Sequence, residues 1–338
     1  MTSLAHGCEH PLLDHHDAVF FDLDGVLYIG PDAVVGAREA VAAVRTAGLA
    51  VAFVTNNACQ PPETVADHLV RLGIPAAPSD VVTSAQAVAT LVASTVPAGS
   101  RVLVVGGAGL HEAVRERGLV PVDTAAPLPA AVVQGLGPEV GWRLLAEGTY
   151  AVRAGVPWFA SNLDSTVPTP RGLAPGNGAL VSVIAQATGV RPVVAGKPET
   201  TLHAEAVRRT GSSCPLVVGD RLDTDIAGAG RAGAASLLVL TGVTGAADLV
   251  QAPPGQRPTY VAADLALGLH APHPPVETTE TGDHHCGGWT CRLSGGKAEL
   301  RGAGDPVEAL RAVCVAAWTS GTTVDEQEVD RLLAAAGC

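Results

Sequence analysis

Apolar residues along this chain fall into short unbroken runs, separated by longer stretches in which they recur every third or fourth position. The unbroken runs predict strands buried on both faces, and the recurring stretches predict amphipathic helices. From residue 17 the order reads strand 18–22, helix 34–47, strand 49–54 and helix 62–72. Further strand-like runs lie at 101–105, 130–133 and 157–160, each beside a helical stretch. After residue 190 come strand 192–195, helix 199–210, strand 215–218, helix 223–232 and strand 236–240. Such alternation builds βαβ units, a mostly parallel sheet and an α/β fold. Residues 270–283 are rich in His, Pro, Thr and Glu and read as a linker. Beyond them, 289–300 reads as a hairpin turning at Ser294-Gly295-Gly296, and 305–319 and 323–336 read as helices.

Composition narrows the classes. Hydrophobic residues make up 47% of the 338 positions but aromatics only 3%, so the core is built from Ala, Val and Leu. A net charge of −12 and a pI near 5.3 argue against a nucleic-acid partner. No apolar run reaches the ~18 residues of a membrane span, so no membrane partner is expected. Seven scattered cysteines (8, 59, 214, 286, 291, 314 and 338) and the lack of a leader-like segment predict reduced thiols and a cytoplasmic location. Residues 1–16, with four histidines and Cys8, read as a mobile tail, with metal binding there left open. Lysine occurs only at 197 and 297, which draws attention to both.

Four strand ends carry the candidate chemistry. The first run ends in Asp22-Leu-Asp24-Gly25, and residues two apart on a strand share a face, so both acids can serve one site. Ligands of open α/β sheets collect at the carboxyl ends of strands. Clustered carboxylates favour a divalent cation, although Asp-Gly is also ordinary turn chemistry. The second strand ends in Thr55-Asn56-Asn57, uncharged donors suited to an anion or, equally, to an N-cap and turn. Gly196-Lys197-Pro198-Glu199 places a lysine on a strand-to-helix turn. Gly219-Asp220 with Asp223 and Asp225 closes another strand, and Asp223 suits a simple helix-dipole role.

These motifs resemble those of the haloacid dehalogenase superfamily of aspartate-dependent phosphohydrolases. Asp22-Leu-Asp24-Gly-Val26, Thr55-Asn-Asn, Lys197 and Gly219-Asp220…Thr224-Asp225 match its four motifs in order. The phrase from Phe21 to Tyr28, the Thr-Asn-Asn triplet and Asn162…Pro175-Gly-Asn-Gly178 are similar to the NagD-type class with a C2-type cap. That class includes p-nitrophenyl, phosphoglycolate and actinobacterial glycerol-3-phosphate phosphatases. The resemblance implies a Rossmann-like core at 17–83 and 191–262 and an α/β cap at 84–190. The remainder divides into a linker at 263–288 and a small, separate α+β unit at 289–338, similar to acetyltransferase-like fragments but without an acyl-carrier signature.

The resemblance also implies roles. Asp22 attacks phosphorus and forms an aspartyl-phosphate, and Asp24 protonates the leaving group and then activates water. Mg²⁺ is held by Asp22, Asp24 (through its carbonyl) and Asp220, with Asp225 orienting that shell from outside. Thr55, Asn56 and Asn57 hold phosphoryl oxygens, Lys197 offsets charge, and Asn162 and Asp164 form a substrate-contacting loop with Leu163 where the family has proline. The expected partner is a small phosphorylated metabolite, glycerol 3-phosphate first and phosphoglycolate or p-nitrophenyl phosphate next, with homo-oligomerisation left open. A phosphomutase-like transferase and a noncatalytic phospho-receiver are weaker alternatives, the latter because it needs no leaving-group acid such as Asp24. Gly106-Gly-Ala-Gly109 lacks dinucleotide-binding spacing and reads as a tight turn. His284-His285-Cys286 with Cys291 lacks a second ligand pair for zinc.

Overall fold

The computed structural model describes residues 3–169, 171–294 and 297–336, so the Gly295-Gly296 turn and Cys338 lie outside the described residues. Its residues form two compact units, Met1–Val51 with Ser212–Cys338, and Ala52–Gly211. The boundary falls inside the strand Ala50–Thr55.

In the first unit, the strands Ala18–Phe21, Pro215–Gly219, Ala235–Val239 and Tyr260–Ala262 pair in parallel in that spatial order. The pairing of Phe21 with Val218 and of Gly219 with Leu238 sets three strand ends side by side. Asp17 fixes the opposite ends of two of these strands. Its carboxylate accepts from the Ser212 hydroxyl, from the Ser213 amide at 2.7 Å and hydroxyl at 2.9 Å, and from the Cys214 amide at 3.1 Å. These donors favour the ionised form and hold the Asp17 carboxyl well below the usual range.

The C-terminal segment forms an antiparallel sheet, Glu277–Thr278, Asp283–Cys286, Trp289–Ser294 and Lys297–Gly302, followed by the helices Pro306–Ser320 and Glu326–Ala336. The sheet begins earlier than the expected hairpin, because 283–286 pairs with 289–292. Nor does this element have a core of its own. Leu310, Val313, Cys314 and Trp318 join Leu222, Ile226, Leu238 and Leu249 of the parallel-sheet part in one apolar cluster. The Trp318 indole N–H donates to Val250 O at 3.0 Å, and the Arg257 guanidinium lies 4.9 Å from that ring's centroid. The stretch expected to be a mobile tail contributes as well: Leu4 and Leu12 are fully buried, and Cys8 and His273 exchange backbone hydrogen bonds of 2.6 and 2.7 Å. Those contacts join positions more than two hundred residues apart, which no local pattern reveals.

The second unit carries a five-stranded parallel sheet in the order Val193–Val194, Trp158–Ala160, Ala131–Gln134, Arg101–Val105, Val120–Val122. The helices Trp142–Arg153 and Asn177–Thr188 supply Leu145, Val152, Val181 and Ile184 to a cluster with Val105, Val132 and Trp158. Thr55 lies in register with Thr83, where Phe53 to Thr55 pairs in parallel with Val81–Thr83. No helix among the described residues is long and apolar enough to cross a membrane.

Two outcomes follow. Trp318→Ala is expected to cost about 3–5 kcal/mol, and urea unfolding followed by circular dichroism should lose the parallel-sheet and C-terminal signals in one transition. Asp17→Asn is expected to be less stable than the wild type at neutral pH. Because folding depresses this carboxyl, its contribution is complete above the ordinary value of 3.8 and fades as pH falls below it, so the two proteins converge in acid.

Candidate active site

Three carboxylates of the first unit converge. Asp22, Asp220 and Asp225 each present an oxygen within 4.8 Å of the others, the one such metal-capable group found among the described residues. Asp22 directly follows the strand Ala18–Phe21 and Asp220 follows Pro215–Gly219, whose pairing makes them neighbours. Asp225 is brought in by a single wide turn, Leu222–Ile226, in which the amides of Asp225 and Ile226 both donate to Arg221 O. Wide turns of this kind gather at functional sites. The wide turn also explains why the helix expected over 223–232 is a regular α-helix only from Ala227 to Ala232.

Backbone donors aim the two buried acids. Val243 N–H donates to Asp220 Oδ2 at 2.7 Å, and Arg221 N–H donates to Asp225 Oδ2 at 3.1 Å. Three glycines are required by this crowding: a Cβ on Gly25 or Gly242 would collide with the Asp220 carboxylate, and one on Gly219 with Asp225. Gly25 also holds φ at +86°, open to glycine at little cost. Oxygens around a six-coordinate Mg²⁺ lie about 3–4 Å apart, so a cluster of hard carboxylate oxygens within 4.8 Å suits that ion, with room for one acid to steer rather than bind it. Asp223 stands apart, paired with the Arg221 guanidinium at 3.1 Å.

Asp24 is exposed and lies outside the triad. Its partner is Tyr28, whose hydroxyl is pushed far above its ordinary pKa by burial first, then by the charges of Asp24 and Asp22 and a hydrogen bond to Asp24. Tyr28 therefore remains a donor at any working pH. The sequence motif contained Tyr28 without giving it a task. The loop 241–244 was missed altogether: Thr241 Oγ1 donates to Gly25 O at 2.7 Å and Thr244 N–H to Asp220 O at 3.1 Å. Its only forewarning was a Thr-Gly-Val-Thr turn after an apolar strand.

The second unit gathers the remaining candidates. Lys197 is 4% exposed, and its ammonium donates to Val54 O at 3.1 Å. Thr55 Oγ1 accepts from Asn57 N–H at 3.0 Å, and Asn57 Oδ1 from Cys59 N–H at 2.8 Å, so the triplet also makes its own turn. The Asn56 side chain reaches the Lys197 backbone and the Asp164 carboxylate. Asn162 is buried: its amide donates to Asn56 O at 2.7 Å and its Oδ1 accepts from Asp164 N–H at 3.1 Å, so it shapes the loop rather than presenting a free face. The turn 106–109 closes on the chain at Ala58–Gln60, where Gly109 N–H donates to Cys59 O at 3.0 Å and a side chain at 109 would strike Gln60.

An acid after one strand end, two buried acids after the next and a buried lysine after a third are what the haloacid dehalogenase motifs lead one to expect. The chain belongs to the haloacid dehalogenase-like hydrolases, and it is an enzyme. Residues 19–120 match the model of a haloacid dehalogenase-like hydrolase and 194–267 that of a second HAD-like hydrolase family. Residues 286–337 match a GCN5-related N-acetyltransferase like domain. The chain is similar to D-glycerol 3-phosphate phosphatase of Mycobacterium tuberculosis, with 45% identity over 315 residues, 91% of this chain and 87% of the relative. A crystal structure of glycerol phosphate phosphatase from that organism, in complex with magnesium, superposes with a TM-score of 0.87 at 42% identity, covering 97% of this chain and 99% of that one. Acid sugar phosphatase of Staphylococcus aureus is 36% identical over 255 residues, 75% of this chain and 96% of the relative.

Tyr28→Phe is expected to lower kcat about tenfold and to displace the limb of the pH–rate profile that reports Asp24. An unchanged profile would remove Tyr28 from the site.

Proposed function

We propose that this chain is a Mg²⁺-dependent phosphomonoesterase whose substrate is glycerol 3-phosphate, hydrolysed to glycerol and inorganic phosphate through a phosphorylated Asp22. The observation that carries this is the carboxylate triad Asp22, Asp220 and Asp225, held within 4.8 Å. Support for the substrate comes from the mycobacterial relative, whose similarity extends through the C-terminal element.

An Asp22 carboxylate oxygen forms the bond to phosphorus as the bond to the glycerol oxygen breaks. Asp24, steadied by Tyr28, gives its proton to that leaving oxygen. It then takes a proton from water, whose oxygen bonds to phosphorus and releases the Asp22 carboxylate with inorganic phosphate. Asp22, Asp220 and the Asp24 carbonyl would hold Mg²⁺, with Asp225 orienting them, and the ion supplies charge neutralisation for nucleophile and phosphoryl oxygens. The Thr55 hydroxyl and the Asn56 and Asn57 backbone donate to phosphoryl oxygens, while Lys197 offsets the remaining negative charge. Asp164 belongs to the loop that adjoins this machinery through Asn56.

The test is phosphate release with Mg²⁺ across glycerol 3-phosphate, phosphoglycolate, sugar phosphates and p-nitrophenyl phosphate. Glycerol 3-phosphate is expected to show the highest kcat/KM. Asp22→Asn should lose at least about 10³-fold in kcat, and Asp24→Asn should lose most on the substrate with the poorest leaving group. Activity that survives Asp22→Asn would sink the covalent route; a preference for sugar phosphates would move the substrate toward that of the staphylococcal relative.

A further inference from the structure

The Asn56 side chain occupies an unusual position for a residue of a phosphate-binding triplet. Its Oδ1 accepts from Lys197 N–H at 2.8 Å, and its Nδ2 donates to Lys197 O at 3.1 Å. One side-chain amide thus pairs with both polar groups of one backbone residue, much as a neighbouring strand would. The same Nδ2 lies 3.2 Å from both oxygens of the Asp164 carboxylate. Asn56 O in turn accepts from Ser84 Oγ and from Asn162 Nδ2, and Asn177 Nδ2 donates to Asn162 O at 2.7 Å. Gly196 is required at this junction, since a Cβ there would strike Ser161 O and lie 2.6 Å from Asn56 Oδ1.

We propose that Asn56 is a positioning residue that sets the Lys197 turn and couples it to the Asp164 loop. This rests on the reading of Lys197 as the cation that serves the phosphoryl group. No other side chain of similar size supplies the donors and acceptor together: aspartate lacks the N–H groups and places a like charge against Asp164, and alanine leaves Lys197 N–H and O without these partners. The Asp164 carboxylate therefore acts through Asn56 on the alignment of the lysine. A displacement of about 1 Å in a charge-stabilising group can cost on the order of 10²-fold in rate, and that cost falls on kcat because the alignment matters most in the transition state.

The experiment compares wild type, Asn56→Ala, Asn56→Asp, Asp164→Ala and the exchange Asn56→Asp/Asp164→Asn, each with its melting temperature, using glycerol 3-phosphate and Mg²⁺. Asn56→Ala is expected to lose about 100-fold in kcat with KM changed less than about threefold. The exchange puts the amide at 164 and the carboxylate at 56, so it should recover about tenfold of the kcat lost by Asn56→Asp alone. Asp164→Ala should lower kcat about tenfold at unchanged KM. If the Asn56 variants do not fold, Asp164→Ala still decides: a rise in KM alone makes Asp164 a substrate contact and overturns the proposal. It is equally overturned if the folded exchange variant is no faster than Asn56→Asp. Lys197→Ala separates the two levels: if it is as active as wild type, the reading of the lysine itself fails, whereas an inactive Lys197→Ala beside a fully active Asn56→Ala sinks only the coupling.

Discussion

Three carboxylates held within 4.8 Å, two of them buried, concentrate negative charge in a small volume that calls for a countercharge. The rest of the site follows from that demand. Asp220 and Asp225 tolerate burial because backbone N–H groups from Val243 and Arg221 aim them, and those donors exist only because a loop and a wide turn are folded around the acids. Gly25, Gly219 and Gly242 are glycines because the carboxylates fill the space a methyl group would take. A divalent cation would satisfy the arrangement, and under the proposed mechanism it would also neutralise charge between Asp22 and a phosphoryl group.

The strand ends were legible because strand periodicity and motif order are local properties. Asp22, Asp220 and Asp225 could be assigned to one locus from the parallel topology alone, and the structure gathers them. What stayed hidden depends on contacts remote in sequence. Thr241 reaches Gly25 across more than two hundred residues, and Asn56 reaches Lys197 across 141. The triplet 55–57 announced donors but not their direction: backbone and side chain of one asparagine do different work, and residue type alone does not separate them.

The C-terminal element shows a different limit. Its hairpin and helices were readable, yet its apparent independence was not real. Helix Pro306–Ser320 is buried from Ala309 to Trp318, Arg311 included, which is more than a self-contained fifty-residue unit can cover. Its missing surface is supplied by Leu222, Ile226 and Leu249 beside the buried acids' own turn. The element therefore shares one core with the parallel-sheet part that precedes it.

The chemistry proposed for Asp22 requires that the triad bind a cation. Isothermal titration calorimetry with Mg²⁺ addresses this directly, on wild type and on Asp220→Asn, with folding of both verified by circular dichroism. One ion per chain for the wild type, weakened at least about tenfold in Asp220→Asn, is the predicted result. Equal Mg²⁺ affinity in the two proteins would contradict it.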